Sequence, residues 1–220
     1  MRERIDAHRL RRVMAELGRS AAEDGYVAER SYSLAAPADG ERIELTVQVV
    51  GDGEVSPFLG GGLSPGDPLE VRGPLGGWFV WRPEDPSPVL LVAGGAGIVP
   101  LMAMIRTRRL LGSRVAFRLV YSARTPADVY YADELLTPQP RDAGVEVTIV
   151  YTREAASGGS PPRRVRREDL AEHGWPPGLA PLCFICGPTG FVEAMADGLV
   201  ALGHDPARIR TERFGPTGGT

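Results

Sequence analysis

The sequence predicts a protein of the α/β plus β class, in which a partial antiparallel β-barrel is followed by a doubly wound parallel sheet. From about Arg30 to Val80, short segments alternate polar and apolar residues, as strands of an antiparallel sheet do. From Val89 onward, apolar runs alternate with segments of helical period, which is typical of a parallel sheet covered by helices. The proline-rich stretch 82–88, "RPEDPSP", separates the two patterns.

We therefore predict three segments: an N-terminal helical segment at 1–22, a β domain at 23–85 and an α/β domain at 86–220. Gly18 stands where a helix would end. The apolar residues before it are spaced roughly as on one helix face, and they are Ile5, Leu10, Val13, Met14 and Leu17.

In the β domain, strands are predicted at 42–50 ("RIELTVQVV"), 68–76 ("PLEVRGPLG") and 77–81 ("GWFVW"). A short helix at 53–59 and a glycine-rich turn at 60–67 lie between the first two strands.

In the α/β domain, the predicted strands are 89–94, 115–123, 145–152, 182–187 and 208–214. The predicted helices between them are 98–111, 129–136, 167–174 and 190–203.

Composition excludes several classes of protein. The net charge of −3 gives no footprint for nucleic acid. No apolar run is long enough to span a bilayer and the N-terminus is too charged for a secretory signal, so we expect a cytoplasmic protein without a membrane contact. Cys183 and Cys186 lie three apart in an apolar strand, facing opposite sides, and no second pair completes a metal site.

Three strand ends carry candidate binding residues. An apolar strand runs into "GGAG" at 94–97, ahead of a helix with Pro100 in its first turn, and such a turn lets a backbone approach phosphate groups. A second strand ends in Cys186-Gly187-Pro188. A third ends in "YSAR", where Ser122 and Arg124 could contact a ribose or its 2′-phosphate. Each strand end also has a simpler interpretation. The first is then a strand–helix turn without a ligand, the second ends in a cysteine that only packs in the core, and the third carries an ordinary surface arginine.

Four motifs in order resemble the ferredoxin–NADP reductase superfamily, and most closely its flavin-dependent reductase components that supply oxygenases or ferredoxins. They are R-x-Y-S at 30–33, G-x-x-S at 53–56, G-G-A-G-I-V-P at 94–100 and C-G-P at 186–188. The order and spacing agree from about residue 23 to residue 215.

The resemblance implies a flavin site. Arg30 would pair with the flavin phosphate, Tyr32 would pack on the isoalloxazine ring, and Ser33 would hydrogen-bond at the ring edge. The pyrophosphate would be met by the loop that holds Gly53, Val55 and Ser56. The acidic and aromatic positions that close such a site match Glu212 and Phe214.

For the nicotinamide nucleotide, the resemblance implies binding by residues at the three strand ends: Gly95, Gly97, Pro100, Ser122, Arg124, Cys186, Gly187 and Pro188. The residues implied to act in catalysis are Ser33, Cys186 and Glu212.

Two features depart from the family. A helix at 1–22 would replace the first barrel strands, so we expect a shortened barrel. Three explanations of the shortened barrel remain open: a truncated start, a frameshift at the beginning, or completion of the barrel by a partner chain. The cysteines of a [2Fe–2S] domain are absent, so we expect the electron acceptor to be a separate molecule.

The implied function is transfer of hydride from NADPH or NADH to a bound FAD, with FMN as the alternative flavin, and of electrons onward to an external ferredoxin or oxygenase component. Arg124 favours NADPH slightly. The alternative is a non-catalytic nucleotide-binding or regulatory subunit that docks on a partner.

Overall fold

The computed structural model describes residues 4–6, 15–21, 26–73, 77–137 and 144–214. The chain divides into two units, Met1–Gly77 and Trp78–Thr220. None of the helices in the described ranges is long and apolar enough to cross a lipid bilayer.

The first unit contains two small antiparallel sheets. Strand β1 (Arg4–Asp6) pairs with β4 (Arg42–Glu44). Strand β2 (Ala15–Ala21) lies between β3 (Tyr26–Tyr32) and β5 (Glu70–Arg72). This is the short antiparallel β unit that the sequence predicted.

The predicted helix over the first 22 residues is wrong where the chain is described, because Arg4–Asp6 and Ala15–Ala21 are strands. Gly18 does not end a helix but lies within β2, opposite Glu29 of β3. The remaining residues of this segment lie outside the described ranges. Helical spacing is a local signal, whereas hydrogen bonding of β2 to a strand on each side is a tertiary effect that outweighs local propensity. A helix therefore does not replace the first strands of the β unit.

A small apolar core lies under these strands. Val55 begins the short helix α1 (Val55–Pro57), which continues into a single π-turn at Phe58–Gly62, in agreement with the predicted short helix. The buried residues of this core are Ala28, Ile43, Leu45, Val55 and Leu59. The predicted strand at 42–50 is shorter than expected, since only Arg42–Glu44 and an isolated bridge from Leu45 to Leu34 pair.

The predicted strand at 77–81 is also wrong. This stretch is irregular in the structure. The reason lies in its backbone carbonyls: those of Trp78 and Val80 accept hydrogen bonds from the side chain of Arg210 instead of from a neighbouring strand.

The second unit is a five-stranded sheet in which every pairing is parallel. Its strands are β6 (Val89–Gly94), β7 (Phe117–Ala123), β8 (Val145–Tyr151), β9 (Leu182–Pro188) and β10 (Ile209–Phe214). They lie in the order β10-β9-β6-β7-β8. The predicted parallel sheet is confirmed.

Helices cover both faces of this sheet, which explains why its central strands are apolar throughout. The helices are α2 (Ile98–Leu110), α3 (Ala132–Leu136), α4 (Arg167–His173) and α5 (Thr189–Ala201). Helices α4 and α5 supply Leu170, Val192 and Leu199 to a core shared with Cys183 and Ile185 of β9. Helix α2 packs on β6 and β9, and its buried residues lie outside this cluster.

The predicted connector 82–88 belongs to the second unit. Trp81 is buried with its ring edge-on to Phe117, at 5.0 Å between centroids. The Arg208 side chain donates to the Ser87 hydroxyl at 2.7 Å, and the Leu182 N–H donates to the Pro88 carbonyl at 2.9 Å. The division between the units therefore falls at Gly77, ahead of this connector rather than within it.

An ion pair between a buried carboxylate and a half-buried arginine holds the long loop between β8 and α4. Asp169, in the first turn of α4, accepts two hydrogen bonds from the Arg163 guanidinium and one from the Arg166 N–H, at 2.5 to 2.7 Å. Burial alone would raise the pKa of the Asp169 carboxyl, but these hydrogen bonds and the charge of Arg163 bring it below its ordinary value. The Arg163 N–H also donates to the Tyr151 carbonyl, so the loop is fixed at the end of β8.

We expect Asp169→Asn to lower the free energy of unfolding by about 2 kcal/mol at pH 7, because the substitution removes the charge that holds Arg163. Since the folded-state pKa lies below the unfolded one, this stabilisation is present above about pH 4 and is lost as the pH falls through the folded-state value. Urea unfolding at several pH values measures both.

Glu168→Gln is the matched control for Asp169→Asn. Glu168 lies in the same helical turn but is exposed, 3.8 Å from Arg167, and its substitution should change stability by less than about 0.5 kcal/mol. Equal effects of the two substitutions, or an Asp169→Asn deficit that persists unchanged at low pH, would contradict the assignment.

Candidate functional site

The candidate site lies at the carboxyl ends of β6 and β9. The chain proceeds from β6 to β7 and β8 on one side, then returns to β9 and β10 on the other. Ligands of such sheets bind outside the strand ends at this change of direction. The register places Ala93 opposite Cys186 and Gly94 opposite Ser122, so the three predicted strand ends meet at one edge.

Gly95 and Gly97 serve different purposes. Gly95 has φ +55° and faces open space, since a Cβ there would meet nothing within 4 Å. At Gly97 a Cβ would collide with the Cys186 carbonyl oxygen and lie 2.8 Å from the Gly187 nitrogen. Open space thus lies beside Gly95, whereas Gly97 lets the turn after β6 pack against the end of β9.

Sequence reasoning missed Phe191 and the packing role of Gly94. A Cβ on Gly94 would lie 2.8 Å from the Phe191 ring, and one on Gly187 would lie 2.9 Å from it. Phe191, in the first turn of α5, therefore fills the space between the two glycine-rich strand ends. The aromatic residue directly after "CGPTG" is the signal that could have indicated this contact.

Pro100 lies in the first turn of α2 and is buried. Its missing N–H costs nothing there, because first-turn N–H groups have no partner within the helix. Pro100 therefore suits the helix start, and its predicted contact with a nicotinamide nucleotide stays a prediction.

The Cys186 thiol is fully buried. Burial raises its pKa far above the ordinary value, and the charge of Glu212 adds to this effect. Glu212 is the register partner of Cys186 on β10 and is half-buried. The sulfur is therefore a neutral thiol at physiological pH, able to pack or to donate weakly but not to act as a thiolate.

Cys183 is buried as well, and burial raises the pKa of its thiol to about 12. Both cysteines are free thiols. The two have different charged neighbours, Arg208 for Cys183 and Glu212 for Cys186. Within the described ranges, no group of three or more histidine, cysteine or acidic side chains is arranged to hold a metal ion.

The end of β7 presents Ser122, half-buried, and Arg124, exposed. The Arg124 carbonyl accepts the N–H groups of Arg153 and Glu154 at 2.9 and 3.3 Å, which fixes this strand end to the loop after β8. Tyr130, which sequence reasoning missed, is half-buried nearby. Burial raises the pKa of its phenol, while the charge of Arg124 acts in the opposite direction.

In the first unit, the R-x-Y-S motif spans the end of β3. Tyr32 packs against the apolar core and is half-buried, Ser33 is half-buried, and Arg30 is exposed. Burial raises the pKa of the Tyr32 phenol and the charge of Arg30 lowers it, so the two side chains are within electrostatic range. A cation beside a partly exposed aromatic ring suits a phosphate-bearing ring system.

The G-x-x-S loop is closed by its own residues. The Gly53 N–H donates to the Val50 carbonyl at 2.9 Å, and the Ser56 oxygen accepts the Val50 N–H at 3.0 Å. Val55 is part of the apolar core, so its predicted contact with a ligand rests on its backbone alone. The Ser56 oxygen thus already accepts one hydrogen bond within the loop.

The last predicted pair lies at the end of β10. Phe214 is half-buried opposite Pro188, as Glu212 is opposite Cys186. The second unit thus collects the predicted residues of β6, β7, β9 and β10 at one sheet edge. The first unit carries Arg30, Tyr32, Ser33 and the loop at 53–56.

Two family models match the chain. The oxidoreductase FAD-binding domain matches residues 11–80 and the oxidoreductase NAD-binding domain matches residues 91–197. The first match begins before β2, in the segment where the sequence had predicted a helix.

Several curated relatives are reductase subunits. The glycine betaine monooxygenase reductase subunit of Chromohalobacter salexigens is 33% identical over 198 residues, which are 88% of this chain and 53% of that protein. The aromatic O-demethylase reductase subunit of Amycolatopsis sp. is 31% identical over 199 residues, covering 87% of this chain and 58% of that protein. The chain thus spans about half the length of the curated relatives it matches.

Solved structures share the fold. The FAD/NAD-binding domain of nitric oxide dioxygenase from Vibrio cholerae has a TM-score of 0.80 at 26% identity. The match covers 92% of this chain and 84% of the Vibrio chain. The Amycolatopsis cytochrome P450 reductase GcoB has a TM-score of 0.77 at 28% identity. The match covers 92% of this chain and 61% of the GcoB chain.

We expect Gly97→Ala to destabilise the second unit by about 3 kcal/mol, because the added methyl group meets rigid backbone at Cys186. Thermal unfolding measures the loss. Gly190→Ala is the control: Gly190 lies in the first turn of α5, where a Cβ meets nothing within 4 Å. That change should be neutral or stabilising by up to about 1 kcal/mol. A Gly97→Ala protein as stable as the control would disprove the packing role.

We expect Cys183 and Cys186 to resist iodoacetamide in the folded protein at pH 8, because both thiols are buried and their pKa values are raised. In urea both should react as ordinary thiols. Mass spectrometry of the alkylated protein distinguishes the two states. Rapid alkylation of either residue in the folded protein would show that the strand end opens.

Proposed function

Because the chain belongs to the ferredoxin–NADP reductase superfamily, we propose that it takes a hydride from NADPH or NADH onto a bound FAD and passes the electrons to a separate acceptor. The observation that carries this proposal is the meeting of the glycine-rich end of β6 with the Cys186-Gly187 end of β9. This edge lies in the part of the chain that matches an NAD-binding domain, and an FAD-binding domain precedes it.

The edge fits a nicotinamide nucleotide. Gly95 offers backbone that no side chain covers, and the turn Gly95–Gly97 leads directly into α2, which presents the positive end of its dipole there. Ser122 and Arg124 lie on the neighbouring strand end, where an exposed guanidinium suits the 2′-phosphate of NADPH. We assign the pyrophosphate to the Gly95–Gly97 turn and the ribose end to Ser122 and Arg124.

Cys186, Gly187 and Pro188 are assigned to the nicotinamide. The neutral thiol of Cys186 keeps charge away from a reaction in which a hydride moves, and the apolar strand behind it excludes water. Glu212 holds a carboxylate next to this thiol and is the acidic group that we assign to the reaction centre. Hydride transfer itself requires orientation rather than a general base.

The first unit fits a flavin. Arg30 binds the phosphate, Tyr32 packs on the ring system from its place on the apolar core, and Ser33 hydrogen-bonds at the ring edge. The loop at 53–56 supplies backbone N–H groups and the Ser56 hydroxyl for a pyrophosphate, which is why FAD is preferred over FMN. Phe214 is assigned to closing this site. When bound, FAD supplies a ring that accepts two electrons together and releases them one at a time.

We assign the electron acceptor from what the related proteins are named for. Relatives are named as reductase subunits of a glycine betaine monooxygenase and an aromatic O-demethylase. One Ralstonia relative, 29% identical, is named as a ferredoxin–NAD(P)+ reductase component of naphthalene dioxygenase and salicylate hydroxylase systems. We therefore propose a ferredoxin or an oxygenase component as the partner, in the cytoplasm, where NAD(P)H is available.

The purified protein tests the proposal directly by its visible spectrum, recorded without oxygen before and after NADPH or NADH. A flavin spectrum that bleaches supports the reductase, and the faster of the two nucleotides identifies the donor. Bound flavin that neither nucleotide reduces indicates the alternative, a nucleotide-binding subunit without turnover. A colourless protein that takes up no added FAD or FMN would disprove the flavin site.

We expect Arg30→Ala to reduce bound flavin about tenfold, because a charge-assisted contact with phosphate contributes about 1.5 kcal/mol or more. Arg72→Ala is the control, since Arg72 is an exposed arginine of the same unit paired with Glu70. Flavin content per protein after desalting is measured by absorbance. Equal flavin content in the Arg30→Ala protein and wild type would remove Arg30 from the site.

A further inference from the structure

One arginine of the last strand holds the chain segment that opens the second unit. The Nη1 atom of Arg210, on β10, donates to the carbonyl of Trp78 at 3.1 Å and to the carbonyl of Val80 at 2.7 Å. These residues directly follow the division between the units at Gly77. They are the stretch that the sequence predicted as a strand.

Two aromatic rings fix the plane of this guanidinium. The Arg210 carbon Cζ lies 5.3 Å from the centre of the Trp78 ring and 5.4 Å from that of Phe184 on β9. Both distances are within the range of a cation–π contact. The Nε atom is buried without a hydrogen-bond partner among the residues that the structure describes. A buried unpaired donor is costly, so the remaining contacts of Arg210 have to outweigh this loss.

The segment 78–81 alternates between outward and inward side chains. Trp78 and Val80 are exposed, whereas Phe79 packs edge-on to Phe184 at 5.4 Å and Trp81 packs edge-on to Phe117. Such an alternation normally needs a neighbouring strand to bond the backbone. Here the side chain of Arg210 supplies two of the hydrogen bonds that such a strand would donate, because it binds two carbonyls two residues apart.

A second attachment follows along the connector. Arg208, in the turn that directly precedes β10, donates to the Ser87 hydroxyl. Hydrogen bonds from Ser87, together with the charges of Arg208 and Arg210, hold the pKa of the Asp85 carboxyl below its ordinary value. Segment 78–81 and the connector 82–88 are therefore both held by arginines at the start of β10.

We propose that Arg210 is a positioning residue that fastens segment 78–81 to the parallel sheet of the second unit. The consequence for the reaction rests on the proposed function, in which a hydride passes from a nicotinamide to a flavin. Release of segment 78–81 should make productive orientation of the two cofactors rarer while nucleotide affinity stays the same.

Limited proteolysis tests the attachment without reference to activity. Chymotrypsin cuts after the aromatic residues of this segment, and a synthetic peptide of residues 74–88 gives the rate for an unattached chain. We expect wild type to be cut there at least about a hundredfold more slowly than the peptide, because cleavage requires local opening. Cleavage of wild type at the peptide's rate would overturn the proposal with no variant needed.

Arg210→Gln should raise the rate of cleavage at 78–81 about tenfold, the change expected when charge-assisted hydrogen bonds worth about 1.4 kcal/mol are lost. Arg118→Gln is the matched control, because Arg118 also stacks on a tryptophan, Trp175, and donates to a backbone carbonyl, that of Gly174, within the second unit. Faster cleavage in Arg210→Gln alone supports the proposal. An equal increase in both variants, or none in either, would overturn it.

Rapid-mixing kinetics then test the positioning role. In Arg210→Gln, we expect the rate of flavin reduction by the nicotinamide to fall about tenfold while its Kd changes less than twofold. Arg210→Lys should recover little, since the lysine nitrogen falls at about the position of Cζ, one bond short of the Nη1 atom that donates to both carbonyls. An unchanged reduction rate, or a reduction rate and a nucleotide affinity that fall together, would overturn the role in the reaction. If wild type reduces no flavin, the proposed function fails while the proteolysis result still decides the attachment.

Discussion

The second unit depends on the close approach of two backbones at the carboxyl edge of its sheet. The turn after β6 lies so near the end of β9 that no side chain fits at Gly97, and the Phe191 ring fills the remaining space beside Gly94 and Gly187. This packing sets the position of Gly95 and the start of α2, which together form the surface that we propose binds a nucleotide. Packing and candidate binding are thus two consequences of one glycine-rich sequence.

Burial determines the chemistry available at this edge. The Cys186 thiol stays neutral because it is enclosed and lies beside Glu212, so it offers a neutral surface and not a nucleophile. Exposed positive charge is found instead on Arg124 at the end of β7, where a phosphate group is proposed to bind. A buried neutral thiol and an exposed cation on neighbouring strand ends suit a ligand whose reactive ring is uncharged in its reduced form and whose tail carries phosphates.

Arginines also replace regular hydrogen bonding where the sheet ends. Arg210 binds the carbonyls of a segment that no strand accompanies, and Arg163 holds a long loop through Asp169. In both places a planar guanidinium bonds more than one acceptor, which a single strand partner or a lysine would not do in the same geometry. The connector therefore belongs to the second unit although its composition resembles that of a free linker.

The sequence by itself determined the parallel sheet and the candidate edge, because apolar strands, helical periods and glycine-rich turns are local patterns with a direct physical cause. Tertiary structure decided the rest. It placed Ala15–Ala21 between two strands where helical spacing had indicated a helix, and it bound segment 77–81 to a side chain where alternation had indicated a strand. It also separated the roles of Gly95 and Gly97, since only the position of Cys186 shows which glycine lacks room for a side chain. In each case the deciding partner lies far away in the sequence, and local periodicity carries no information about it.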